Sequence, residues 1–184
     1  MKITPLSIPE VLCLEPRVFR DERGFFIEWF NEERFAEHGL PTVFRQDNHS
    51  RSVKGVMRGM HFQHPRAQGK LVTVVRGAVY DAVVDIRVGS PTFGEWCSVT
   101  LTEDEPRLVW VPPGFAHGFC ALTDVADVVY KCTDVYVPSQ DNSVRWSDPM
   151  VGIRWPIDNP ILSPKDRDAP LLSSTRDDLP HYVR

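Results

Sequence analysis

Hydrophobic and polar residues alternate in short runs along most of this chain, a period typical of β-strands. Beyond residue 42, Gly, Pro, Asp or Asn separate the strand-like runs. These are VFRQDNHSRS, GVMRGMHFQ, KLVTVVRGAVYDAVVDIR, GEWCSVTLTE, RLVWVPPGFAHGFCAL, DVADVVYKCTDVYV and SVRWSD. Many short strands with little helix indicate an antiparallel barrel or sandwich and not a parallel α/β sheet. The predicted fold is all-β, a double-sheet jelly roll.

The two ends of the chain depart from this pattern. Residues 3–15 contain two prolines and predict an extended arm. The segment NEERFAEHG predicts a short helix, with Asn31 as its cap and Gly39 at its end. From Asp148 the prolines predict an ordered loop with one short helix, and about 173–184 a polar tail. We expect one domain over residues 1–184.

Composition narrows the class of protein. The formal net charge is -4 and the pI is near 5.8, which argues against a general nucleic-acid binder. The sequence has no long apolar run to span a bilayer, and its N-terminus lacks the apolar core of a secretion signal. The four cysteines are scattered without metal-finger spacing, so we expect reduced core thiols in a cytoplasmic protein.

The stretch RGMHFQHPRAQGK, residues 58–70, concentrates side chains that can do chemistry. In a strand, Met60 and Phe62 would point to one face, and His61 to the other. An imidazole inside a β scaffold can exchange a proton near neutral pH, and Lys70 can stabilise a developing negative charge. The stretch predicts an acid/base site.

A second histidine, His117 in PPGFAHGF, follows a rigid turn and would enter the same cavity. Cupins, a jelly-roll class, often bind a metal through an HxH pair followed by a glutamate. Here Gln63 stands where the second histidine would fall, and Lys70 would repel a cation. We therefore predict no metal. His117 could equally be a core histidine bonded to backbone.

Tyr130 and the tetrad KDRD, residues 165–168, each allow a structural and a functional interpretation. A strand tyrosine is usually a packing residue, but beside an imidazole base its phenol could donate a proton to the opposite face of a substrate. The charges around Asp166 could form a solvated loop, or one carboxylate could bond the imidazole and fix its tautomer.

Several motifs together resemble one family. In chain order they are DERGFFIE, RQDNHS, RGMHFQ, AQGKLV, GSPTFGEW, PPGFAHGF, YKCTDVY, WSDP and LSPKD. This series is similar to dTDP-4-dehydrorhamnose 3,5-epimerases, cupin-fold enzymes, and to relatives that make deoxysugars for natural products. It extends over nearly the whole chain.

The resemblance implies a role for each matching position. His61 would be the general base, Asp166 its carboxylate partner, Tyr130 the proton donor, and Lys70 the cation beside the carbonyl oxygen. The positions implied to hold the nucleotide, its diphosphate or the sugar are Arg23, Phe26, Glu28, Gln46, Asp47, Asn48, Arg58, His117, Tyr136, Asp141 and Lys165. Phe26 would come from the partner of a homodimer.

The implied reaction agrees with these residue types. In a dTDP-4-keto-6-deoxyhexose the C3 and C5 hydrogens lie next to the carbonyl, so a base, a cation and an acid suffice for inversion without a cofactor. Two departures are a His61–Lys70 loop that is one residue short and Asp141 where glutamate is common. Alternatives are a single-carbon epimerase, a non-catalytic sugar-nucleotide-binding cupin and a metal-dependent oxygenase.

Overall fold

Two antiparallel β-sheets enclose the main core in the structure, a computed structural model that describes residues 1–183. The strands are β1 (Lys2–Pro5), β2 (Leu12–Glu15), β3 (Val18–Asp21), β4 (Gly24–Ile27), β5 (Gln46–Val53), β6 (Met57–Gln63), β7 (Lys70–Arg76), β8 (Ala78–Asp85), β9 (Trp96–Thr102), β10 (Leu108–Val111), β11 (Phe115–Ala121), β12 (Val125–Cys132) and β13 (Asp141–Ser143). Two short helices are α1 (Glu32–Glu37) and α2 (Pro164–Arg167).

The sheets place the central strands of the chain opposite one another. One sheet has the order β1-β2-β10-β7-β12-β5, and the other has the order β13-β6-β11-β8-β9. Every other residue of the central strands enters the core between them, as Val72, Val83, Phe119 and Val128 do. The predicted all-β, double-sheet architecture is confirmed.

The outer face of the five-stranded sheet is covered by residues 144–179. Val151, Leu172 and Leu179 pack there against Met60 and Phe62. The expectation of a polar tail from about residue 173 is corrected here. Leu179 is buried, and the backbone near residue 181 pairs with Val88 in the loop that follows β8. Burial of Leu179 and the backbone hydrogen bonds between Val88 and residues 180 and 182 together hold the segment on the sheet.

The N-terminal residues also differ from the prediction. Instead of one extended arm, β1 and β2 pair with each other at the edge of the six-stranded sheet. Helix α1 packs Phe35 against Leu14 and Trp110, and the Asn31 side chain caps it by accepting from the backbone N–H of Arg34 at 3.1 Å. The predicted cap is confirmed.

The strand predicted over SVRWSD lies earlier in the chain. Strand β13 ends at Ser143, although Val144 still exchanges backbone hydrogen bonds with Met60 of β6. The backbone N–H of Arg145 points away from β6 and bonds the carbonyl of Pro170 at 2.8 Å, in the C-terminal segment. Within residues 1–183, no helix has the length and apolar character needed to cross a membrane.

Candidate active site

A cavity of about 190 Å³ opens between the two sheets. Five strands, β5, β6, β7, β11 and β12, each contribute inward-facing side chains to it. Its lining residues are Ser50, Arg58, His61, Lys70, His117, Phe119 and Tyr130. Apart from the two aromatic rings, the lining consists of hydroxyl, imidazole and cationic groups, which suits a polar ligand.

His61 enters the cavity because β6 alternates. Met60 and Phe62 on either side are buried in the outer core, so the intervening imidazole must face inward. Helix α2 brings Asp166 to it, and Nε2 of His61 lies 2.5 Å from Oδ1 of Asp166. Ser163, the cap of α2, donates its hydroxyl to Oδ2 of Asp166 at 2.9 Å. The carboxylate is thus held from both sides.

This pairing determines which nitrogen of His61 is basic. Burial of Asp166 opposes its ionisation, but the hydrogen bonds from His61 and Ser163 outweigh burial and lower the pKa of the carboxyl. An ionised carboxylate can only accept, so Nε2 carries the proton. Nδ1 is then left with its lone pair and can take a proton from a ligand.

Lys70 lies at the start of β7, almost fully buried. Burial lowers the pKa of its ammonium group because a charge is poorly solvated there. Its Nζ donates to the backbone carbonyl of His61 at 3.1 Å, and both residues line the cavity. An ammonium has three donors, and this bond occupies one of them.

Tyr130 lies on the same sheet as Lys70, opposite the sheet that carries His61. On β12 it pairs with Asn48 of β5 on one side and with Val72 of β7 on the other. Burial raises the pKa of its phenol, so the hydroxyl remains protonated well above neutral pH. It can therefore donate a proton but not remove one.

His117 lies directly across from His61, since the two are register partners on β11 and β6. Its Nε2 is 2.8 Å from Oδ2 of the fully buried Asp81. The partner is a carboxylate and not the backbone group that the alternative interpretation gave it. The two strands can approach so closely here because Gly59 faces Gly118, where an added Cβ would lie 2.5 Å from the facing Cα.

A hydrogen-bonded cluster forms the rim. The Tyr136 hydroxyl donates to Oδ2 of Asp141 at 2.9 Å, which raises the pKa of the phenol, and Nζ of Lys165 lies 2.5 Å from the same oxygen. Gln46 accepts from the backbone N–H of Tyr136 at 2.7 Å and donates to Asn48 at 2.9 Å. Polar side chains therefore run continuously from the rim to β5.

Four predicted substrate-binding residues lie elsewhere in the chain. Arg23 and Phe26 belong to the β3–β4 hairpin, where they line a separate depression and Phe26 is exposed. Glu28 pairs with Arg34 at 2.8 Å. Asp47 is on the outer face of β5, paired with Lys131 at 2.9 Å. The fold of one chain does not bring these residues to the cavity.

Sequence reasoning missed Ser50, Phe119 and Asp81. Ser50 could have been found, because it follows Asn48 by two residues and a strand would place both on one face. Asp81 gave no local signal, since its partner is 36 residues away. Among residues 1–183, no three His, Cys, Asp or Glu side chains are grouped so that they could hold a metal ion.

Comparisons with known proteins identify the family. The family model described as dTDP-4-dehydrorhamnose 3,5-epimerase matches residues 5–174. The chain belongs to this family. A dTDP-4-dehydrorhamnose 3,5-epimerase of Shigella flexneri is 52% identical over 168 residues, covering 90% of this chain and 93% of the relative. The family and the isomerase class predicted from the motifs are confirmed.

Two further relatives of this chain differ in what is known of their reaction and ligand. A dTDP-4-dehydrorhamnose 3-epimerase of Streptomyces niveus is 45% identical over 187 residues, covering all of this chain and 90% of the relative. The crystal structure of dTDP-6-deoxy-D-glucose-3,5-epimerase from Legionella pneumophila Philadelphia 1, in complex with dTDP-4-keto-L-rhamnose, has a TM-score of 0.96 and 47% identity. The match covers all of this chain and 99% of that one, so the fold is shared throughout.

Proposed function

We propose that this protein epimerises dTDP-4-keto-6-deoxy-D-glucose at C3 and C5 to dTDP-4-keto-L-rhamnose. The observation that carries the proposal is one cavity containing a carboxylate-bound imidazole, a buried ammonium and a protonated phenol. A base, an electrostatic stabiliser and an acid are the three groups that inversion next to a ketone requires.

The first step is proton removal. Nδ1 of His61 takes the hydrogen from C3 or C5, and the electron pair of the broken C–H bond moves onto the ketone to form an enolate. Asp166 stabilises the resulting imidazolium. Lys70 stabilises the negative charge on O4, and its burial strengthens this interaction because water does not screen it.

The second step is reprotonation from the other face. The Tyr130 hydroxyl gives its proton to the same carbon, and the electron pair returns from the oxygen to rebuild the C–H bond with inverted configuration. Because burial raises the pKa of Tyr130, the phenol holds its proton until a basic enolate carbon accepts it. The tyrosine then regains a proton from solvent, and His61 loses one.

The remaining predicted residues would bind the nucleotide and the sugar. Arg58 is positioned for a diphosphate, since its Nε donates to Ser52 Oγ at 3.0 Å and its guanidinium lines the cavity. Tyr136 at the rim offers a ring on which thymine could stack. We assign the same general role to His117, Gln46, Asn48, Asp141 and Lys165 in this chain.

We further propose a homodimer in which the β3–β4 hairpin completes the partner's site. The hairpin exposes Phe19, Phe25 and Phe26, an apolar surface that is costly to leave in water. A second apolar surface on the six-stranded sheet includes Val75 and Val129. Burying both in a two-fold interface would carry Arg23 and Phe26 to a cavity that lacks them within one chain.

Mixing two inactive variants tests the shared site. In the proposed dimer each site takes His61 from one subunit and Arg23 from its partner. A dimer of one Arg23→Ala chain and one His61→Ala chain therefore has one site with both residues intact. Co-refolding or co-expression should restore about a quarter of wild-type activity, because half the dimers are mixed and each has one good site. No recovery, with dimers detected by light scattering, would contradict a shared site.

The reaction itself is tested by incubating the protein with dTDP-4-keto-6-deoxyglucose in deuterated water. We expect deuterium at both C3 and C5, read by NMR, and formation of the L-rhamno product. Deuterium at neither carbon would identify a binding protein without catalytic activity.

A single-carbon epimerase is a second candidate, favoured by the similarity to the Streptomyces niveus 3-epimerase along the whole chain. Deuterium at one carbon only would support it.

We also propose that the described residues form one domain, because the core between the sheets is continuous. A cytoplasmic location is proposed because all four cysteines are buried free thiols, and cell fractionation tests it.

A further inference from the structure

The inner face of β5 carries a row of four polar side chains. Gln46, Asn48, Ser50 and Ser52 alternate with outward-facing residues, as the period of a strand requires. The row runs from the rim, where Gln46 bonds the backbone of Tyr136, to the cavity wall, where Ser52 bonds Arg58. It therefore follows the full length of the proposed ligand site.

Three of the four side chains have partners within the protein. Gln46 donates to Asn48 at 2.9 Å, Asn48 donates to Cys132 Sγ at 3.5 Å, and Ser52 accepts from Arg58 at 3.0 Å. The Oγ of Ser50 is buried, and among residues 1–183 it has no hydrogen-bond partner. Ser50 also lines the cavity.

A buried hydroxyl without a partner is costly, so its position calls for an explanation. One other buried side-chain atom in the described residues is in the same condition, Oδ1 of Asp81. That atom belongs to a residue already bonded to His117, beneath the cavity wall. Ser50 has no such second bond, and the residue lines the cavity.

The location of Ser50 indicates which ligand group would satisfy it. Asn48 on one side is the register partner of Tyr130, and Ser52 on the other side holds Arg58. Ser50 thus lies between the proposed proton donor and the guanidinium proposed for the diphosphate. In the hexose, C2 is the ring carbon between C1, which carries the diphosphate, and C3, which reacts.

We propose that Ser50 is a specificity-determining residue whose Oγ hydrogen-bonds the C2 hydroxyl of the ketosugar. The inference deepens the proposed function and rests on it. A site with a hydroxyl reserved for a substrate hydroxyl discriminates against an analogue that lacks the group, because the protein atom is then left unpaired. Ser50 would make the protein selective against 2-deoxy ketosugars.

The experiment compares three substrates: the full dTDP-4-keto-6-deoxyhexose and its 2-deoxy and 3-deoxy analogues. Deuterium exchange at C5 is available in all of them, so kcat/KM for that exchange is a common readout. Ser50→Ala should lower kcat/KM about tenfold on the full substrate and on the 3-deoxy analogue. On the 2-deoxy analogue the variant should stay within about twofold of wild type, which also shows that it is folded.

Ser52→Ala is the matched control, from the same face of the same strand. Its hydroxyl acts through Arg58, so its loss should lower kcat/KM by one common factor on all three substrates. An equal loss by Ser50→Ala on all three, a loss that disappears on the 3-deoxy analogue instead, or no loss would overturn the inference. Failure of wild type to exchange the full substrate would instead refute the proposed function.

Discussion

The contact between His61 and Asp166 makes a quantitative prediction for Asp166→Asn. The carboxylate accepts from Nε2 at 2.5 Å and is almost fully buried, so the bond is charge-assisted and poorly screened. Such bonds contribute about 1.5–3 kcal/mol, and each 1.4 kcal/mol is about tenfold in rate. Removal of the charge should therefore slow proton abstraction by about 10- to 150-fold.

An amide adds a second effect. Its NH₂ group can donate to Nε2 of His61, which favours the tautomer with the proton on Nδ1. That tautomer presents a donor to the substrate, so Asp166→Asn should be slower than Asp166→Ala, in which water can replace the lost acceptor. Ser163→Ala, which removes one hydrogen bond to the carboxylate, should slow proton abstraction only about threefold to tenfold.

The assay is the rate of deuterium incorporation at C3 and C5, measured by NMR at saturating substrate. Asp168→Asn is the matched control, since Asp168 is an exposed carboxylate two residues further along the same segment. Its rate should equal that of wild type. A wild-type rate for Asp166→Asn, or a faster rate than that of Asp166→Ala, would refute the tautomer argument.

Three other predictions follow from burial and pairing. Lys70→Met should raise the melting temperature by a few degrees, because a charge no longer has to be buried, and should lower kcat/KM by about 100-fold or more. A lower melting temperature in calorimetry, or an unchanged kcat/KM, would contradict this prediction. Tyr130→Phe should leave exchange within about threefold but slow inversion by about 100-fold, so full inversion by NMR would remove Tyr130 from the mechanism. The hydrogen bond from Arg51, with one from His49, lowers the pKa of Asp127 to about 2. The ionised Asp127 therefore stabilises the folded protein fully above about pH 4, and this stabilisation is lost as the pH falls toward 2. Arg51→Met should therefore lower the melting temperature at pH 5 but less at pH 3, and an equal difference at both would refute this.

The sequence predicted the strands and the inward direction of His61 because alternation is a local property. Met60 and Phe62 have to be buried, and that alone orients the imidazole between them. The same rule places Tyr130 on the inner face of β12. The pairing of His61 with His117 could not be derived this way, because register between distant strands depends on the whole sheet.

Contacts that depend on irregular backbone were harder to predict. Asp166 reaches His61 across 105 residues through a short helix in a proline-rich segment. The residues alone left this pairing as one of two interpretations, and only the family resemblance favoured it. Arg23 and Phe26 matched substrate-binding positions by resemblance, but one chain keeps them on the hairpin. Intermolecular contributions leave no local periodicity in a sequence, so they have to be argued from exposed surface.

The central claim is that the imidazole of His61 removes the hydrogens next to the ketone. The most direct measurement is deuterium incorporation into dTDP-4-keto-6-deoxyglucose by His61→Ala, with dTDP binding checked by calorimetry. The account predicts no exchange at C3 or C5 while dTDP still binds, because the nucleotide contacts are supplied by other residues. Exchange at either carbon near the wild-type rate would contradict it.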